Sequence, residues 1–189
     1  MKRTKAPQPQ NPELLDKIIG NIQTGLIDNL GWLDVAFGRA ERLVKKDPYG
    51  KKIYTPNVYA GGNDYIDVTP DSNVGNFCFF WVDDPQDLDV LRNVSVTIRT
   101  EFAIIFWLDY RKVFNDKNTR NKEVIKKQIL DVLNGGFWLK NGRFGINKVY
   151  ELAENIYKGF TLDEIDNQFL THPYGGFRFE GELEITESC

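Results

Sequence analysis

The stretch Asn93 to Tyr110 reads NVSVTIRTEFAIIFWLDY. Every second residue from Val94 is Val94, Val96, Ile98, Thr100, Phe102, Ile104, Phe106, Leu108 and Tyr110, all apolar or aromatic except Thr100. The other register is Ser95, Thr97, Arg99 and Glu101, then Ala103, Ile105, Trp107 and Asp109. A period of two means extended chain, because successive strand side chains point to opposite faces. β-Branched and aromatic residues suit such a pleated surface. At about 3.3 Å per residue the run spans about 50 Å, beyond the usual strand of about five or six residues. It is therefore one long strand, or two joined by a bend near Thr100. Its first half is wet on one face. Its second half is apolar on both faces and needs cover from a helix or from another subunit.

Two further segments belong beside it. Phe77 to Val82, FCFFWV, is apolar throughout and reads as a buried strand. Phe177 to Ile185 alternates, with Phe177, Phe179, Gly181, Leu183 and Ile185 inward and Arg178, Glu180, Glu182 and Glu184 outward. All three segments are expected in one sheet, with Phe79, Ile98, Phe102, Phe179 and Leu183 in its core.

Outward from this centre, residues 1–11 read as a flexible arm, basic through Lys2, Arg3 and Lys5, with no apolar anchor beyond Ala6. Residues 12–189 read as one domain. A helix is expected from Asn11-Pro12-Glu13, with Asn as N-cap and Pro at the first helical position. Leu14, Leu15, Ile18, Ile19, Ile22 and Leu26 form its apolar stripe, and Asn29 to Gly31 ends it. Trp32, Leu33, Phe37, Ala40 and Leu43 suggest a second helical piece or a packing loop. Short strands follow near Lys52 to Ala60 and Tyr65 to Val68, joined by the turn Gly61-Gly62-Asn63-Asp64. Asp87 to Arg92 leads into the long strand. A helix is predicted over Asn121 to Asn134, from Val124, Ile125, Ile129, Val132 and Leu133, with Gly135 as its stop. Asn141-Gly142 marks a hairpin insertion over residues 137–146. Ile146, Val149, Leu152, Ala153 and Ile156 predict another helix, and Thr161-x-x-Glu164 a capping box. The expected class is α+β, a mostly antiparallel sheet with a long central strand and helices packed on one face.

The 189 residues are 41% hydrophobic and 27% charged, as in an ordinary globular protein. A net charge of −3 argues against a nucleic-acid binder. No apolar run reaches the ~20 residues of a membrane helix, and two distant cysteines give no disulfide framework, so a reduced compartment is the default. The lone histidine, His172, has no partner signal for general-base work. Asp83, Asp84, Asp87 and Asp89 could hold a hard cation or form a solvated loop. The EF-hand pattern does not fit them, and Asp71 and Glu101 lack the Glu-x-Lys that a nuclease metal site wants. One histidine and two distant cysteines exclude zinc, and no phosphate-cradling glycine motif is present. Trp107, Tyr110, Phe137 and Trp138, with Arg111, Lys112, Lys140 and Arg143, could stack and bind single-stranded nucleic acid, but core or interface packing is the commoner role. The exclusions favour an interaction protein with no enzymatic activity, no cofactor and no metal. Its 13% aromatic content agrees, since aromatics are enriched at interfaces.

The order of elements resembles the tail terminator and related neck proteins of tailed bacteriophages. The leading helix from Pro12, the long strand Asn93 to Tyr110, the helix Asn121 to Asn134 and the closing strand Phe177 to Ile185 carry that likeness. GWLDVAFGRAERL from Gly31, FCFFWVDD from Phe77 and LDEIDNQFLTHPYGGFRFEGELEI from Leu162 are similar to neck proteins of phages of gut Bacteroides-type hosts, including the crAss-like group. The hairpin and helix over residues 137–158 exceed the minimal terminator. The resemblance implies a structural virion protein assembled in the host cytoplasm, a subunit of a ring at the head–tail junction. Its partners would be further copies of itself and neighbouring neck and tail proteins, with DNA only as cargo through the channel and no membrane. Lys2, Arg3, Lys5, Ile105, Trp107, Tyr110, Phe137, Trp138, Arg143 and Phe144 are the candidates for subunit contacts. Arg99, Glu101, Arg178, Glu180 and Glu182 are the candidates for ring or lumen charges, where acids would repel DNA phosphates. The alternative is a monomeric protein-binding module of a mobile element, inhibitor-like or immunity-like. A small metal-dependent hydrolase is a more distant third.

Overall fold

The computed structural model describes residues 4–62, 64–70, 73–92, 94–114, 121–135, 142–161 and 172–188. In chain order the elements are β1 Thr4–Lys5, α1 Leu14–Asn29, β2 Val35–Lys46, β3 Lys52–Gly61, β4 Asp64–Asp67, β5 Phe77–Val82, β6 Asp87–Leu91, β7 Ser95–Asp109, α2 Tyr110–Val113, α3 Lys122–Asn134, β8 Gly142–Tyr150, α4 Ala153–Ile156 and β9 Tyr174–Ser188. This is an α+β fold. The strand order is β4-β3-β2-β5-β7-β9-β8, with β1 beside β2 and β6 beside β7. The pairing is antiparallel except for β1 with β2 and β2 with β5.

The long strand is single. β7 pairs with β9 without a register shift, from Ser95 opposite Ser188 to Asp109 opposite Tyr174. On its other side β5 covers Phe102 to Trp107, and β6 continues the same row along Ser95 to Arg99. The segment expected only to lead into β7 is thus a strand itself.

The even positions of β7 face one core. Phe102, Ile104, Phe106 and Leu108 pack there with Leu15, Ile19, Ile22 and Leu26 of α1 and Ile125, Ile129 and Leu133 of α3. The odd positions Ala103, Ile105 and Trp107 face a second core, closed by Phe37, Ala40, Val58, Val68, Ile156, Tyr157 and Phe160. β2 makes this possible. Its first half pairs with β5, and from Ala40 it pairs with β3, folding the β2-β3-β4 end over the second face. Cover for the second half of β7 therefore comes from its own chain on both sides. The expectation that helices occupy one face needs correction, because α4 contributes Ile156 to the second core.

Three local expectations are also corrected. The first helix begins at Leu14, and its N-cap Glu13 makes no side-chain cap bond. Of the residues read as a second helical piece or a packing loop, Phe37, Ala40 and Leu43 belong to β2, while Trp32 and Leu33 lie in the connection before it. Residues 146–150, expected to open a helix, belong to β8, and only Ala153–Ile156 turns helical. The basic arm also lies on its own chain from Thr4. The Thr4 N–H donates to the Asp34 carbonyl at 2.8 Å and the Ala6 N–H to the Ala36 carbonyl at 3.0 Å. Ala6 is buried. The Gln8 amide donates to Gln23, itself fully buried, whose amide donates to the Ala36 carbonyl at 2.8 Å. Gly20 of α1 lies against the Lys5 and Gln8 side chains, where an added Cβ would stand at ordinary contact distance.

Candidate functional site

The cover over the second face ends before the sheet does. Trp81 and Phe160 meet edge to face at 5.0 Å and mark its limit. Beyond them β6, β7, β9 and β8 run on as a ladder whose second face carries charge. Between β5 and β6 the chain steps out over Asp83 to Gln86. The Asp83 N–H donates to the Glu101 carbonyl at 3.0 Å, and the Trp81 indole N–H donates to the Asp83 carboxylate at 3.2 Å.

Asp83, Asp84, Asp87, Glu101, Glu182 and Glu184 line an open cleft of about 500 Å³, with Arg99 among them. The Arg99 Nε donates to the Glu184 carboxylate at 2.6 Å. That bond and the neighbouring negative charges hold the guanidinium proton more tightly than usual. Thr97 and Thr186 share a hydroxyl hydrogen bond of 3.0 Å one step along. Cross-strand register places Asp87 opposite Arg99, Arg99 opposite Glu184, and Glu184 opposite Arg143. One row therefore crosses four strands with alternating charge.

Of the residues expected to carry ring or lumen charge, Arg99, Glu101 and Glu182 lie exposed on this face. Arg178 and Glu180 are on the same face, but at its covered end. Arg178 is buried, its Nε donates to Glu180 at 2.7 Å, and an Nη donates to the Lys158 carbonyl at 3.1 Å. Burial raises the Glu180 pKa, but the bond from Arg178 and the charges of Arg178 and Lys158 outweigh it and leave the carboxyl below its ordinary value. The outward position of Arg178 is corrected for a physical reason: the chain around α4 roofs that end of β9.

The subunit-contact candidates divide similarly. Ile105 and Trp107 are buried under the folded-over β2-β3-β4 end, and Tyr110 is buried in the first core with α1 and α3, so all three are corrected as surfaces for a neighbour. Burial also removes Trp107 and Tyr110 as base-stacking platforms. Phe144 is half-buried against Phe102, ring centroids 4.8 Å apart. The Lys5 ammonium donates to Thr24 of its own chain at 3.0 Å. Arg143 is exposed on the outermost strand of the ladder. Lys2, Arg3, Phe137, Trp138, Lys140, Asp71, the Asn141 side of the hairpin and the Glu164 half of the capping box lie outside the described residues.

Sequence reading missed the exposed apolar side chains beside the acids. Leu88, Val90, Leu91 and Val94 are each more than half exposed, from 54% to 65%. The available signal was the alternation of Asp87, Leu88, Asp89 and Val90, which is strand periodicity. His172 is exposed. Among the described residues, no three acid, histidine or cysteine side chains converge to hold a metal ion, and no helix is long and apolar enough to cross a membrane. No protein-family model matches the chain, and no curated protein matches it.

Proposed function

We propose that the chain is a structural subunit of a phage head–tail junction ring, a neck, collar or tail-terminator-like protein, acting without catalysis or cofactor. The observation that carries this reading is the projecting β6-β7-β9-β8 ladder. It spends ordered backbone on a surface with an acidic face and exposed apolar edge residues, a combination that suits repeated protein contacts around a passage for DNA. Arg99, Glu101 and Glu182 are its channel-facing candidates, and Glu101 and Glu182 with the neighbouring acids would repel phosphates and keep DNA moving as cargo. Neighbouring neck and tail proteins would take the remaining surfaces, in a virion assembled in the host cytoplasm.

Electron microscopy of the parent virion tests the proposal. The expected result is density for this fold in a closed ring on the head–tail axis. Copies only off that axis, or none in the particle, would overturn it. A second reading, a monomeric protein-binding module of a mobile element, draws support from the exposed Leu88 and Val90, which share one face of β6. It would leave the protein monomeric beside a single unlike partner.

A further inference from the structure

We infer that the hairpin of β2 and β3, over Arg42 to Lys52, is a basic ribbon that binds duplex DNA through its phosphates. This surface belongs to a different element from the acidic ladder face and does not require the ring reading.

Arg42 to Lys52 reads RLVKKDPYGKK, five cations with one acid. From Glu41 to Lys52 every residue except Asp47 is exposed, so the hairpin stands clear of the core. Its one acid is committed to the turn. The Asp47 carboxylate accepts the Tyr49 N–H at 2.9 Å and the Lys51 N–H at 2.8 Å, and the Gly50 N–H donates to the Asp47 carbonyl at 3.0 Å. Gly50 takes a φ of 80°, which glycine adopts without strain. Tyr49, 95% exposed, is held out at the tip. The ribbon is ordered before a partner arrives, so binding costs it little entropy.

The charge is not matched from within the chain. Cross-strand register places Lys46 directly opposite Lys52, and Arg42 shares their face, its guanidinium 3.9 Å over the Tyr54 ring. Like charges opposite each other destabilise a strand pair. Among the described residues, none of these three cations forms an ion pair. Lys45, on the other face, meets Asp67 at 3.1 Å with half of its side chain still exposed. A surface pair of that kind holds a lysine weakly. A polyanion seated on the ribbon would relieve the repulsion between Lys46 and Lys52.

Shape favours duplex DNA as that polyanion. A two-stranded ribbon fits the major groove of B-DNA, which has a row of phosphates on either side. Arg42, Lys46 and Lys52 on one face and Lys45 on the other reach both rows. A flat acidic protein surface would meet one face only, and the major groove of duplex RNA is too narrow to enter. The net charge of −3 does not oppose this reading. In about 0.1 M salt a charge acts over about 10 Å, so a phosphate at the ribbon meets the local excess of cations. Charge summed over the whole sequence conceals that excess.

Fluorescence anisotropy of a short labelled duplex of random sequence tests this on the full chain. Wild type should bind with a dissociation constant of about 10 µM or tighter at about 50 mM salt. Binding should weaken about 40-fold to 150-fold between about 50 and 200 mM, as three or four phosphate contacts require. Lys46→Gln combined with Lys52→Gln should bind at least about tenfold more weakly and flatten the logarithmic salt slope by about two. The same double variant should melt no lower than wild type, because it removes a like-charge pair. Lys127→Gln, which takes an exposed cation from α3, should change neither affinity nor slope. No binding at the lower salt, affinity indifferent to the ribbon variant, or an equal loss from Lys127→Gln would each overturn the inference. Single strands of the same length binding as tightly as the duplex would also overturn it. So would poly-glutamate of equal charge competing as well as the duplex, an outcome that assigns the ribbon to an acidic protein.

Discussion

Arg111 closes on Asp109 with two parallel bonds, its Nε donating to Oδ1 at 2.9 Å and an Nη to Oδ2 at 2.8 Å. Asp109 is buried at the end of β7, where its carboxylate also accepts the Arg111 backbone N–H at 3.1 Å and caps α2. Its own N–H donates to the Asn76 side chain at 2.7 Å. Asn76 in turn donates to the Trp32 carbonyl and, through its backbone, to Asp34. One polar network thus ties the end of β7 to the loop before β5 and the connection from α1 to β2. Outside it, Arg111 lies over Tyr174, and Tyr174 stacks on Trp107 at 5.3 Å.

Acid should weaken this junction. Burial pushes the Asp109 pKa up, but the bonds from Arg111 outweigh it and leave the carboxyl below its ordinary value. Glu180 is lowered in the same net direction. A carboxyl with a lowered folded pKa contributes its stability in full above the unfolded value, about 4, and loses it as pH falls through the folded value. The melting temperature should therefore fall on the acid side of about pH 4. Asp109→Asn should melt lower than wild type at neutral pH and converge on it in acid. Parallel curves across that range would show that the pair contributes nothing through ionisation.

The two halves of the ladder should respond differently to truncation. Phe106 is fully buried, edge to face with Phe179 at 5.7 Å. Phe106→Ala should cost about 3–5 kcal/mol, the range for deleting a core aromatic. Leu88 is 65% exposed, and Leu88→Ala should leave the isolated chain within about 0.5 kcal/mol of wild type. Denaturant unfolding of the monomer measures both. Equal losses would mean that the tip of β6 is covered in solution.

The segments read most directly from sequence were those with an undisturbed period. β5, β7 and β9 follow from alternation or unbroken apolar character, and α3 from a stripe that recurs through a whole helix. β2 and β8 failed for one shared reason. A register shift lies between Ala36 and Arg39 in β2, and another between Ile146 and Lys148 in β8. An extra residue at such a bulge puts Phe37 and Ala40 on one face, and likewise Ile146 and Val149. Their spacing of three then imitates a helix. The site was legible only in part. Arg99, Glu101 and Glu182 were visible as a polar register. Which half of β9 is roofed depends on where the β2-β3-β4 end and α4 land, a tertiary outcome that strand alternation does not encode. Arg178 was misplaced on that account.

Gly181 should tolerate no side chain. It sits opposite Ile146 in β8, and a Cβ there would lie 1.9 Å from the Gly145 carbonyl oxygen. Backbone cannot yield as a flexible side chain does, so Gly181→Ala must push β8 off β9. Hydrogen exchange should show faster exchange of the β8 amides bonded to β9, with the β5 and β7 amides protected as before. Unchanged β8 protection would mean that the two strands are farther apart than this geometry has them.

The arm provides the last prediction, because its docking decides whether it is available to a neighbour. Residues 4–8 bond through their backbone to Asp34 and Ala36, bury Ala6, and set Gln8 beside Gln23 between α1 and Gly38. Removing residues 1–8 deletes those bonds and strips Gln23 of one partner, leaving its side-chain oxygen exposed to whatever water can reach it. A buried polar atom that loses its partner costs more than the bond itself contributed. The truncated monomer should be less stable by about 1–3 kcal/mol, and it should lose that stability at every protein concentration. Restoring the arm as a separate peptide should recover little, since ordering a free segment costs entropy that the tethered one avoids. If truncation left the monomer unchanged and instead weakened self-association, the arm would belong to the neighbouring subunit. The pairing of Thr4 and Ala6 with the Asp34 to Ala36 segment would then be made between copies rather than within one.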